Sequence, residues 1–157
     1  MPNYCNNIVH VRHEDSAQLT RVVDAYMRSE LLNEFVPIDE EDPEWYELRL
    51  SKWGCKWDVG PVDKDSVPEV KNNSVTLMFD SPWSPPLEVF NKMVEEDGFD
   101  IEAYYYEPGM QFAGLWENGR DDYYEGWGNA ENARKMLPVA IDEAFSIVEN
   151  QEMWEED

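Results

Sequence analysis

Leu50–Asp58 reads LSKWGCKWD, with two tryptophans and two lysines around one glycine and one cysteine. Indole faces beside an ammonium group can hold a planar or anionic guest through cation–π and stacking contacts. The same residues can instead build a packed turn, with lysine stems lying over tryptophan faces. Trp53, Lys56 and Trp57 are the candidate pocket residues within this stretch. Both readings stay open from the sequence.

Other reactive types do not assemble into a recognisable catalytic pattern. His10 and His13 fall on opposite faces of one strand and cannot easily share an ion. No Cys-x-x-Cys or His-Glu-x-x-His spacing occurs, and no glycine-serine elbow accompanies the Ser, His and Asp residues. The expectation is a protein that is not an enzyme, with no cofactor and no metal. Cys5 and Cys55 read as reduced thiols, with a disulfide between them left open.

Charge is the strongest bulk feature: 35 acids against 12 bases, a net −23. A compact chain of this length is roughly 40 Å across, and duplex DNA carries roughly 23 charges over that span. Nucleic acid and anionic membranes are therefore disfavoured as ligands, and a basic protein partner is favoured. The acids cluster: six lie between Asp39 and Glu47, five between Glu95 and Glu102, and seven after Met136, where no base occurs. Asp39, Glu40, Glu41, Asp42, Glu44, Glu47, Glu95, Glu96, Asp97, Asp121 and Asp122 form the candidate partner-binding set. Solvated helix faces and loop tips are the bland alternative for such runs.

The elements that must position these groups follow from periodicity. NNIVHVRH alternates as a strand, and Leu19, Val22, Val23, Tyr26, Met27 and Leu31 recur at helical steps behind Asp15 or Ser16 as cap. Asp42-Pro43 and Gly54 bracket a short helix from Pro43 to Trp53. KWDVGPV and SVTLMFD read as strands; Ser84 caps a helix with Pro85 in its first turn, and Gly98 ends it. DIEAYYYE, QFAGLWE and RDDYYEGW read as further strands, the last two joined at Asn118-Gly119, before a helical seam from Leu137 to Val148. Tyr104, Tyr106, Phe112 and Trp116 are the rings that could stack RNA bases, but the net charge opposes it, and core or interface packing fits them better.

That order predicts an α+β fold: a ferredoxin-like antiparallel sheet with helices on one face, plus an added C-terminal hairpin strand and helix. One domain spans 1–150, and 151–157 form an acidic tail. No apolar run could span a membrane. Residues 1–15 lack the basic start and apolar stretch of a secretion signal, so the expected location is the cytoplasm of a host cell.

Several pieces together resemble the YubB ferredoxin-like family of plasmid and phage proteins. These are MPNYCNN, WGCKWD (where threonine is usual at Cys55), SPWSPP and YEPGMQFAG. The resemblance covers about residues 1–119 and implies a ferredoxin-like fold and a mobile-element origin; it carries no catalytic residue set. It also implies that Trp53, Lys56, Trp57, Trp83, Glu107 and Phe112 meet in space as a candidate pocket, with Glu107 able to pair with Lys56. Combined with the charge, it suggests an acidic interaction protein of DNA-mimic or inhibitor type. Such a protein would occupy the basic nucleic-acid-binding site of a host defence protein. The alternative is a small-ligand or peptide-binding module at Trp53–Trp57.

Overall fold

The computed structural model describes residues 3–156. Five strands form one antiparallel sheet: β1 (Tyr4–Arg12), β2 (Ser74–Pro82), β3 (Asp100–Glu107), β4 (Phe112–Glu117) and β5 (Arg120–Glu125), in the order β2-β1-β3-β4-β5. β1 pairs on one side with β2 (Val9 opposite Leu77) and on the other with β3 (Val9 opposite Ala103). β2, the helix Leu87–Asp97 and β3 thus make a split β-α-β unit with β1 inserted, the ferredoxin-like arrangement.

The pleat sorts side chains by parity. Val9 and Val11 of β1, Val75, Leu77 and Phe79 of β2, and Ile101 and Ala103 of β3 face one layer of helices. That layer holds α1 (Ser16–Met27), α2 (Leu31–Phe35), α3 (Trp45–Lys52) and α4 (Leu87–Asp97). Leu19, Val22, Leu31, Leu32, Val89, Phe90 and Met93 supply its side of the core. Each such side chain contributes about 1.5–3 kcal/mol through burial. The Asp15 side chain accepts from Ala17 N at 2.9 Å and fixes the start of α1. Gly98, at φ +74°, ends α4 in the left-handed conformation that glycine adopts without strain.

The C-terminal seam resolves into three short helices, α5 (Ala130–Met136), α6 (Val139–Phe145) and α7 (Ile147–Glu155), where the sequence suggests one. Pro138 starts α6, and Ser146, at φ +52°, separates α6 from α7. They cover the opposite face of the sheet, where Trp127, Ala133, Ile141, Ile147 and Val148 pack with Tyr106 and Ala113. The acidic tail is not a separate segment: α7 runs through Gln151, which is buried, to Glu155. No helix among the described residues is long and apolar enough to cross a membrane.

Two local expectations need correction. Lys56–Val62 forms no strand, so β2 has no strand on its outer side. Ser84 does not cap α4, which starts at Leu87 after Pro86; its hydroxyl donates instead to the Gly54 carbonyl at 2.6 Å. In both cases a tertiary contact or its absence overrides a local pattern. Met1 and Pro2, the first residues of the MPNYCNN motif, and Asp157 of the tail lie outside the described residues.

Candidate functional site

The segment from Asp39 to Trp57 carries α3, which contacts α4 within the helical layer. Asp39 and Asp42 each accept a backbone N–H two residues on, from Glu41 N and Glu44 N at 2.9 Å. These turns deliver the chain into α3. α3 buries none of its residues. A helix of eight residues is marginal alone, so something must anchor it.

The anchor is a stripe at four-residue spacing, Trp45, Arg49 and Trp53. Trp53 is buried, and its indole N–H donates to the Val36 carbonyl at 2.7 Å. The Arg49 guanidinium lies 4.8 Å from the Trp45 ring centre and 5.2 Å from that of Trp53. Its nitrogens also reach Glu40 at 3.1 Å and the Lys56 carbonyl at 3.3 Å. Arg49 was not among the residues singled out in the sequence, although its position four residues from each tryptophan is visible there. Gly54, at φ +82°, then turns the chain away.

With Arg49 and Trp53 turned inward, α3 presents a mixed surface outward. Trp45 (37 % exposed), Tyr46 (39 %) and Leu50 (42 %) stand beside Glu44 and Glu47. Trp57 is exposed one turn later. Among the described residues only Glu40 of the Asp39–Glu47 cluster forms an ion pair.

The remaining pocket residues do not converge into one cavity. The Lys56 ammonium sits 5.6 Å from the ring centre of Trp83, itself exposed and held at φ +68°, a strained conformation for a bulky residue. Glu107 is buried and accepts from Gly109 N at 2.7 Å and Met110 N at 2.8 Å, so it builds the turn after β3 and makes no ion pair with Lys56. Phe112 stacks with Tyr105 and Tyr123 beside Asp121, lining a separate hollow of about 370 Å³ with Gly54, Ser84 and Glu88.

The acid set divides in the same way. The 39–47 cluster and Glu95, Glu96 and Asp97 at the end of α4 belong to the helical layer. Negative charge at a helix C-terminus opposes the helix dipole, so the α4 cluster is held at a local cost; Lys92 pairs with Glu96 at 3.6 Å. Asp121 and Asp122 are sent to opposite faces of β5 by the pleat. Asp121 accepts from the Tyr105 hydroxyl at 2.5 Å on the α4 side, while Asp122 pairs with Arg120. The two cannot present one surface together.

Gly114 makes the Tyr105 contact possible, because a Cβ there would run into the Tyr105 ring and hydroxyl. Burial, then the Asp121 hydrogen bond, pushes the Tyr105 phenol far above its ordinary range. Burial likewise raises the Cys55 thiol to about 12, and both cysteines are free and buried. Asp58 is raised chiefly by burial, although Leu32 N, Asn33 N and Val59 N donate to it and tie the 50s loop to the start of α2. His10 bonds the Thr76 hydroxyl and His13 the Asp97 carbonyl, each at 2.8 Å. No group of three or more His, Cys, Asp or Glu among the described residues is placed to hold a metal. Phe112 and Trp116 face the α4 layer, whereas Tyr104 and Tyr106 face α5–α7, so these four rings form no shared base-stacking platform.

Comparison with known proteins gives one match: the family described as a ferredoxin-like domain in Api92-like protein, over residues 52–148. No curated protein and no solved structure matches the chain.

Proposed function

The chain belongs to the family of ferredoxin-like domains in Api92-like protein, a fold that carries no chemistry by itself, and we propose that it acts by binding a basic protein partner through the α3 surface. The observation that carries this reading is a helix with no buried residue that exposes Trp45, Tyr46 and Leu50 within a run of acids. The acids attract the partner at long range and orient it. The aromatic faces then receive lysine or arginine side chains, as aromatic residues do at binding hot spots.

The finer reading is an inhibitor of DNA-mimic type in a host cytoplasm, carried by a phage or plasmid and seated in the nucleic-acid site of a host defence protein. Its support is the net charge of −23 and the resemblance to YubB proteins of plasmids and phages. The α4 acids, held against the helix dipole, extend the same layer. Capture from host lysate at low salt tests it. A basic nucleic-acid-binding protein should be recovered, released as salt rises, and lost with a Tyr46→Ala/Leu50→Ala chain. Equal recovery by that variant, or recovery of no such protein, would defeat the reading.

A second reading, a small-ligand or peptide site at Lys56 and Trp83, is favoured by the strained backbone of Trp83. A ligand there should change tryptophan fluorescence in the parent chain and not in a Lys56→Ala, Trp83→Ala chain.

A further inference from the structure

The outer edge of the sheet is unusual in what it leaves open. His13 N bonds the Asn73 carbonyl, and Ser74 exchanges both backbone bonds with Lys71 on its outer side. Alternation along an antiparallel pair then fixes the rest of β2: odd residues bond β1, and Thr76, Met78 and Asp80 turn their backbone groups away from it. Of these, the Met78 carbonyl is taken by the Tyr26 hydroxyl at 2.6 Å. The N–H groups of Thr76, Met78 and Asp80 and the carbonyls of Thr76 and Asp80 meet no protein partner among the described residues. Val62, Asp63, Ser66 and Pro68 lie near this edge but form no strand along it.

Edges are normally blunted by lysine, proline, bulges or short length. β2 is nine residues long and has neither lysine nor proline before Pro82. A groove of about 490 Å³ borders the edge and reaches over Asn6 and Ile8 of β1. Its lining adds Ala144 and Phe145 of α6 and Tyr26, Val62 and Pro68. Met78 and Val62 are 58 % and 73 % exposed. An added strand would send alternate side chains to the two faces of the sheet.

We propose that the β2 edge accepts an extended segment of a partner protein with alternating apolar and Lys or Arg side chains, added as a sixth strand. The groove contains Asp63 and Asp80 and no lysine or arginine, which selects the charge of the occupant. A second copy of this chain is disfavoured, because it would bring the same aspartates and a further net −23 against the edge. This surface is separate from α3, so either can fail without the other.

The test uses the whole chain and a synthetic ten-residue peptide of alternating Val and Lys with blocked ends, followed by amide hydrogen exchange. Binding should slow exchange at Thr76, Met78 and Asp80. A Thr76→Pro chain loses one outward N–H at a position where an edge strand tolerates proline, and its affinity should fall about tenfold or more. Should that variant fold poorly, Met78→Lys places a like charge in the groove at an exposed position and should weaken binding similarly. Asp63→Asn/Asp80→Asn should weaken it severalfold at low salt. No protection at millimolar peptide overturns the proposal. So does equally tight binding of a Val/Glu peptide, or binding undiminished in well-folded edge variants. A dimer of the free chain that Met78→Lys disrupts would assign the edge to a second copy and equally overturn it.

Discussion

The α3 shell and the C-terminal cap share an acidic composition and use it in opposite ways. In the cap, Arg134 pairs with Glu152 and Lys135 with Glu131. Glu155 accepts from Ala130 N and Asp142 from Val148 N, both at 2.8 Å. Its apolar seam is buried, with Trp127 at 1 % exposure. Much of the cap's charge is thus spent on pairing and capping its own helices. Of its anchoring stripe the α3 shell buries only Trp53, and among the described residues Glu41, Glu44 and Glu47 form no ion pair beside exposed rings. Composition alone does not distinguish acids left free at the surface from acids that pair within the fold; burial and pairing do.

The largest expected effect is in the cap. Trp127→Ala should lower unfolding free energy by about 3–5 kcal/mol in chemical denaturation, as for other buried tryptophans. A loss under about 1 kcal/mol would mean the cap is as loosely held as α3, and the contrast would break. Arg49→Ala should cost about 2 kcal/mol, from the lost stacking on two indoles and two hydrogen bonds. Arg49→Lys should recover little of that, since an ammonium lacks the planar face the two rings enclose.

Smaller effects sharpen the comparison on the binding side. Tyr46→Ala with Leu50→Ala should change stability by no more than about 1 kcal/mol, yet weaken partner binding about tenfold by calorimetry. Finest of all is charge placement. Glu41→Gln/Glu44→Gln should slow association about two- to threefold at low salt, whereas Glu143→Gln/Glu149→Gln on the cap should leave it nearly unchanged. Equal slowing by both pairs would show that only total charge matters.

Much of the fold was legible because its signals are local. The alternation in β1, the Asp15 cap, Gly98 and the Asn118-Gly119 turn, both at positive φ, act within a few residues and act as their types require. The short helix expected at Pro43–Trp53 stands at Trp45–Lys52, with Glu44 at its N-cap rather than Asp42, which accepts from Glu44 N in the turn before it. Lys56–Val62 has a strand-like composition, but a strand exists only through a partner. Ser84 has a cap's chemistry, but Gly54 offers its hydroxyl another acceptor.

The site was less legible. The sequence marked the tryptophans and lysines of 50–58, and the structure gives the central role to Arg49, which stacks between Trp45 and Trp53. It also divides the supposed pocket among a core indole, a turn-forming Glu107 and a Tyr105–Phe112–Tyr123 stack. The separation of Asp121 from Asp122 follows from strand periodicity and could have been foreseen once β5 was recognised.

By itself the sequence determined most of the element types, the antiparallel ferredoxin-like sheet and a surplus of negative charge, because periodicity, caps and composition act over short range or in bulk. Tertiary structure alone decided which tryptophans are buried and which exposed, which acids are paired, and which sheet edge stays open. Those outcomes depend on contacts between residues far apart in the chain, where a side chain's fate is set by what folds against it.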